Sequence, residues 1–217
     1  MTAQTLVKHR KPELFEGDLS EERLQHYLSK PVIAVDTETR GLILRRDRLC
    51  LVQICDHDGV VSFVRYKGDS FDAAAKSNVK TLLEAPGVLK IFHFGRFDIS
   101  VLKYYLGAQT NPVFCTKIAS KLVRTYTDRH GLKDLVKELL RIELDKSDQT
   151  SDWSAPDLSD SQLEYAANDV RVLLPIYDRI TALLEREGRM ELAQKLFQAL
   201  PTICELDING FKDMFEH

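Results

Sequence analysis

No apolar run in the 217-residue sequence is long enough to span a bilayer, so a helical membrane protein is excluded. Residues 1–11 lack the apolar segment of a secretory leader, and export is not expected. The four cysteines, Cys50, Cys55, Cys115 and Cys204, form no Cys-x-x-Cys pair. They are expected as reduced thiols of a cytoplasmic protein, not as a disulfide framework or a zinc site. Positive charge is not in excess either: 30 Lys and Arg stand against 33 Asp and Glu, for a formal charge of −3. That argues against a chain gripping long nucleic acid by bulk electrostatics, but leaves room for an enzyme that holds a few nucleotides through metals and local contacts. There is no internal repeat, no low-complexity tract and no linker. The expectation is one domain over 1–217, with a core at about 30–180 and a helical extension at about 181–217.

What is present starts with a buried strand at 32–38, where Val32-Ile33-Ala34-Val35 is continuously apolar. The strand ends by presenting Asp36 and Glu38, which share a face because side chains alternate along an extended chain. Two carboxylates that close repel each other, and a divalent cation between them is the usual relief. A short helix precedes the strand, opening at Asp18-Leu19-Ser20-Glu21-Glu22 and ended before Pro31. Strands at 49–55 and 60–65 follow, joined by Asp56-His57-Asp58-Gly59, so the first three strands form an antiparallel meander. Apolar spacing predicts a helix over 69–84, a fourth strand at 88–93 parallel to an earlier one, and a helix over 97–106 stopped by Gly107. Beyond 113 only helices are expected, at about 114–125, 131–141, 159–187 and 189–200. The fold class is α/β: a mixed sheet flanked by helices, with a helical C-terminal half.

Two further acids join the first pair. Asp98 follows the fourth strand at the start of a helix, where it faces the Asp36/Glu38 end if that strand lies beside the first. Its plain alternative is an acid that complements a helix dipole. Tyr165 and Asp169 are four apart and share a helix face whose surroundings, Leu163, Ala166, Val170, Leu173 and Leu174, are apolar. An acid there is costly unless it is paired or ligates a metal; the alternative is a core tyrosine beside a solvated aspartate. Four hard oxygen donors suit magnesium or manganese, and two such ions ~4 Å apart clamp the attacking and leaving oxygens of a phosphodiester. Tyr165 is then placed to orient the attacking water.

The order Asp-x-Glu, Asp, Tyr-x-x-x-Asp resembles the DEDDy branch of the DEDD 3′–5′ exonucleases, with their RNase H-like (DnaQ-like) fold. The runs Gly131-Leu132-Lys133-Asp134-Leu135-Val136, Leu144-Asp145-Lys146-Ser147-Asp148-Gln149, Asp152-Trp153-Ser154 and Gln162–Val170 bring the resemblance, over about residues 30–180, to the RNase D group. RNase D proper carries further helical RNA-binding domains. The sequence ending at His217 is more similar to the short, single-domain nanoRNase C type, as is its closing segment from Leu206. The resemblance implies a bacterial, cytoplasmic 3′–5′ exoribonuclease releasing nucleoside 5′-monophosphates from short single-stranded RNA oligonucleotides, down to dinucleotides, with DNA as a further substrate. It implies two Mg2+ or Mn2+ ions on Asp36, Glu38, Asp98 and Asp169, with Tyr165 beside them. It implies that Leu42 wedges between terminal bases and that Thr39, His93 and Phe97 contact the terminal nucleotide. It also implies a homo-oligomer, a ring-shaped octamer. Ala155 departs from the pattern by standing where RNase D-like sequences commonly have arginine.

Residue-level alternatives remain beside this. Leu42 is equally a core leucine after a turn, and His93 a satisfied strand-end histidine. Phe97 is equally plain core, and Arg45-Arg46-Asp47-Arg48 a solvated loop. The alternative activity is a broader RNase D-like exonuclease for tRNA 3′ ends or DNA. A haloacid-dehalogenase-like phosphatase would need Asp-x-Asp where Glu38 stands.

Overall fold

The computed structural model describes residues 11–68, 71–144, 151–211 and Met214. In chain order its elements are β1 (Glu13–Glu16), α1 (Glu21–Leu28), β2 (Val32–Thr39), β3 (Leu49–Cys55), β4 (Val61–Arg65), α2 (Asn78–Glu84), β5 (Leu89–Phe92), α3 (Arg96–Leu106), β6 (Val113–Cys115) and α4 (Thr116–Val123). Then come α5 (Leu132–Leu135), which runs into a π-helical turn at Val136–Leu140, and α6 (Asp160–Arg171), α7 (Leu173–Arg186) and α8 (Met190–Asn209). The strands form one sheet in the order β1-β4-β3-β2-β5-β6. β2, β3 and β4 are the expected antiparallel meander, and β5 pairs with β2 in parallel. Every residue of β3 and β4 is buried, so the middle of the sheet is covered on both faces.

Several boundaries differ from the expectation, each for a physical reason. The helix expected over 69–84 begins only at Asn78, because Ser77 takes the N-cap by accepting from the Lys80 amide. Asp18 also closes that end, accepting from the amides of Asn78 and Val79 at 2.6 and 2.9 Å. Asp69 and Ser70 lie outside the described residues. The helix expected over 159–187 is two, α6 and α7, because Pro175 has no N–H to donate to the carbonyl of Arg171 and its ring crowds that carbonyl. α8 instead runs through Pro201 to Gly210, where φ is +82°. Packing overrides the lost hydrogen bond: α8 lies along α3, the Cys204 thiol sits 3.3 Å from the Arg96 carbonyl, and the Arg96 guanidinium grips Asp207 with bonds of 2.6 and 2.7 Å. β1 and β6 are too short, at four and three residues, to give a periodic signal. Gly107 does stop α3, at φ +63°, and a Cβ there would stand 2.0 Å from the Ala73 carbonyl oxygen. All four cysteines are free and buried.

A buried arginine pins the helical half. Arg124, at the end of α4, donates to the Arg129 carbonyl (2.6 Å), to the Ser120 hydroxyl (3.0 Å) and to both oxygens of Glu138. Replacing it by methionine strands these acceptors, and is expected to cost about 2–3 kcal/mol and lower Tm by roughly 5–10 °C. The bond to Arg124 holds the Glu138 carboxyl down at about 2, against an ordinary 4.5. A depressed carboxyl contributes stability above its unfolded pKa and loses it as pH falls through the folded one. The stability gap between wild type and Arg124→Met, followed by thermal melts, should therefore narrow as pH drops from 4.5 towards 2.

Candidate active site

β2 carries the first acids for the reason its sequence suggests. Asp36 and Glu38 are half-buried and alternate with buried Thr37 and Thr39, so both project from one face at the strand's end. A bulge between Glu38 and Thr39 bends the strand there. α6 packs on β2 and β3 over the same end of the sheet. Its start is set by a capping box between Ser159 and Gln162, and its buried face carries Tyr165, Ala166, Asp169 and Val170.

The hydroxyl of Tyr165 shows how these groups meet. It donates a hydrogen bond to Asp169. Burial pushes its pKa far above the ordinary 10, and the charges of Asp169, Glu38 and Asp36 push it further in the same direction. Three acids from two elements thus converge on one phenol, and the leading electrostatic influences on it are all negative. Trp153 lies against the tyrosine ring, with centroids 6.0 Å apart, and holds its plane.

Asp98 arrives differently. It sits in the first turn of α3, only 4% exposed, and its Oδ1 accepts from the Thr37 hydroxyl at 2.7 Å and the Thr37 amide at 3.1 Å. Thr37 lies between Asp36 and Glu38, so the fourth acid is tied to the same strand end. Burial pushes its carboxyl up to about 7, against the pull of the Thr37 bonds. Among the described residues, no three Asp, Glu, His or Cys side chains are gathered closely enough to hold a metal ion as they stand. Uncompensated carboxylates repel, and this arrangement has three acids about Tyr165 and one held at Thr37. Excess negative charge and hard oxygen donors fit Mg2+ or Mn2+.

The residues expected near a terminal nucleotide have distinct environments. Leu42 is 83% exposed, which rules out the plain core leucine. The loop that presents it is built on Asp47, which is buried and accepts from the Ile43 amide at 2.9 Å and from the Arg46 guanidinium. The Arg45–Arg48 run is therefore not merely a solvated loop, since its acid holds the turn. A Cβ at Gly41 would stand 2.4 Å from an Asp47 oxygen, so a side chain there would have to displace that bracket. Thr39 is buried, and its hydroxyl donates to the Gly41 carbonyl. Leu42, Phe94 and Phe97 line one cavity of about 440 Å3 with Arg96 and Asp207. His93 Nδ1 is 2.9 Å from the Thr116 hydroxyl, which donates onward to the Phe92 carbonyl, so His93 is in part the satisfied strand-end histidine. Sequence reasoning missed Thr37 and Asp47. Thr37 is flanked by the two acids, which is the only signal of it; Asp47, the one acid among three arginines at 45–48, carries no signal of the turn it holds.

The 3′–5′ exonuclease family matches residues 15–185. Ribonuclease D of Gluconacetobacter diazotrophicus is 36% identical over 162 residues, which are 75% of this chain and 40% of that protein. The chain spans about two-fifths of the length of the curated ribonuclease D relatives it matches first. Among solved structures, Brucella melitensis NrnC with bound Mg2+ is 44% identical at a TM-score of 0.88, covering 96% of this chain and all of the other. The same protein bound to pGG is 45% identical at a TM-score of 0.88, with the same coverage.

Proposed function

The chain belongs to the 3′–5′ exonuclease family, and from that premise we propose that it hydrolyses short single-stranded RNA oligonucleotides from the 3′ end, down to dinucleotides, releasing nucleoside 5′-monophosphates. The observation that carries this is the convergence of Asp36, Glu38 and Asp169 on the Tyr165 hydroxyl, with Asp98 tied in through Thr37. The short substrate is supported by the likeness to NrnC bound to pGG and, more weakly, by the net charge of −3.

Asp36, Glu38, Asp98 and Asp169 would hold two divalent cations, Mg2+ or Mn2+. When bound, such ions act as Lewis acids on the attacking water and on the departing 3′ oxygen. The chain's own residues do the rest. Tyr165 hydrogen-bonds and orients the water; its hydroxyl is held too far above neutrality to serve as a base. Leu42, standing out from a loop fixed by Asp47, wedges between the last two bases, and an apolar wedge has no base preference. Thr39, His93 and Phe97 seat the terminal nucleotide. The oligomer belongs to the proposal as well: Phe211 and Met214 are exposed beyond the end of α8, as a subunit contact in a ring-shaped octamer would need, and light scattering measures it.

The matches to ribonuclease D support a second reading, a broader exonuclease for tRNA 3′ ends or DNA. A time course on 5′-labelled RNAs of graded length, beside a DNA set, separates the two. The dinucleotide should turn over fastest with manganese and not at all with chelator. Equal rates at every length would favour the second reading.

A further inference from the structure

We infer that Gln53 is a positioning residue for Asp36: its buried carboxamide, which makes no hydrogen bond among the described residues, donates to the Asp36 carboxylate once a divalent cation draws that acid in, and holds it there. The inference rests on the reading of Asp36 as a metal ligand.

Three observations carry it. In the β2–β3 ladder Asp36 stands directly opposite Gln53, and Glu38 opposite Leu51. Directly opposed residues of an antiparallel pair project to the same face, with Cβ atoms about 4.5–5.5 Å apart, so the amide and that carboxylate are neighbours on one face without a bond between them here. Second, Gln53 is 0% exposed, and neither its Oε1 nor its Nε2 has a hydrogen-bond partner among the described residues. Strand β3 is otherwise wholly apolar apart from Cys50 and Cys55, and a leucine or methionine would satisfy the core at this position. Burying an amide with both ends unmet is costly, so its presence calls for a use. Third, α6 packs on β2 and β3 and brings Tyr165 and Asp169 to the acids of the β2 end, the face that Gln53 shares with Asp36 by register.

The chemistry suits the role. An amide Nε2 donates to a carboxylate oxygen and leaves that carboxylate's other oxygen for a cation. It adds no charge to a cluster already crowded with acids. Groups of this kind around metal ligands fix the ligand's rotamer, and losing one typically weakens metal affinity about 10–100-fold.

The test is Mn2+ binding to the full chain by calorimetry, with melting of the metal-free protein alongside. Gln53→Met has nearly the same volume and no polar atoms. It is expected to bind Mn2+ about 10–100-fold more weakly while melting at the same temperature as wild type or higher. Wild-type Mn2+ affinity in Gln53→Met, whatever its Tm, would assign Gln53 to the core alone and overturn the inference. Should Gln53→Met not fold, Gln53→Asn decides by the same measurement, since an amide one methylene shorter falls short of the Asp36 carboxylate. Asp36→Asn is the separate control. If it kept wild-type Mn2+ affinity, the reading of Asp36 as a ligand would fail; if it lost binding while Gln53→Met did not, only the role of Gln53 would.

Discussion

Asp36→Asn is expected to lower kcat/KM on a dinucleotide by about 10³-fold or more at saturating manganese. The substitution keeps shape and removes charge. A cation held by these acids, as proposed, would be worth several kcal/mol of transition-state stabilisation, and about 4 kcal/mol corresponds to ~10³ in rate. Folding should respond in the opposite sense. Asp36, Glu38 and Asp169 all press on the Tyr165 hydroxyl, so they also repel one another in the metal-free protein. Removing one charge should leave the metal-free Tm unchanged or raise it, and should shrink the rise in Tm that wild type is expected to show on adding Mn2+. Rates from initial velocities and melts with and without Mn2+ check both halves. A variant within tenfold of wild-type activity would remove Asp36 from the machinery. A variant that lost activity through a lower metal-free Tm would make the acid structural.

Tyr165→Phe is expected to lower kcat by about 10²-fold, with KM and Mn2+ affinity nearly unchanged. The ring should stay in place, because Trp153 lies against it and α6 is unaltered. What is lost is one hydroxyl. Its pH behaviour separates orientation from base catalysis. Burial and then the three acids push the hydroxyl far above its ordinary 10. Cations on those acids would pull it back towards that ordinary value, which still leaves it protonated near neutral pH. The ratio of wild-type to variant kcat should therefore be flat across neutral pH. A ratio that climbed with pH through the neutral range would mean that the phenolate takes the water's proton, and would overturn the orienting role.

Much of this site is legible in the chain because it is encoded at short range. The alternation of β2 puts Asp36 and Glu38 on one face, and four-residue spacing puts Tyr165 and Asp169 on one face of α6. The meander shows through its apolar runs and its turn, and the stop of α3 through Gly107. The less legible parts are those where a local signal is weak or outvoted. β1 and β6 are too short for a period, Pro175 divides what apolar spacing alone joins, and Pro201 fails to divide α8 because packing on α3 compensates.

By itself, then, the sequence determined which residues point together: Asp36 with Glu38, Tyr165 with Asp169, and an acid at the head of α3. Only the tertiary structure decided who meets whom. It turned Asp98 to Thr37, buried Asp47 beneath the exposed Leu42, and set Gln53 across from Asp36. The physical reason is range. Periodicity follows from the geometry of one strand or one helix, whereas strand register, loop bracketing and the partner of a buried polar group depend on segments far apart in the chain and are settled only when those segments pack.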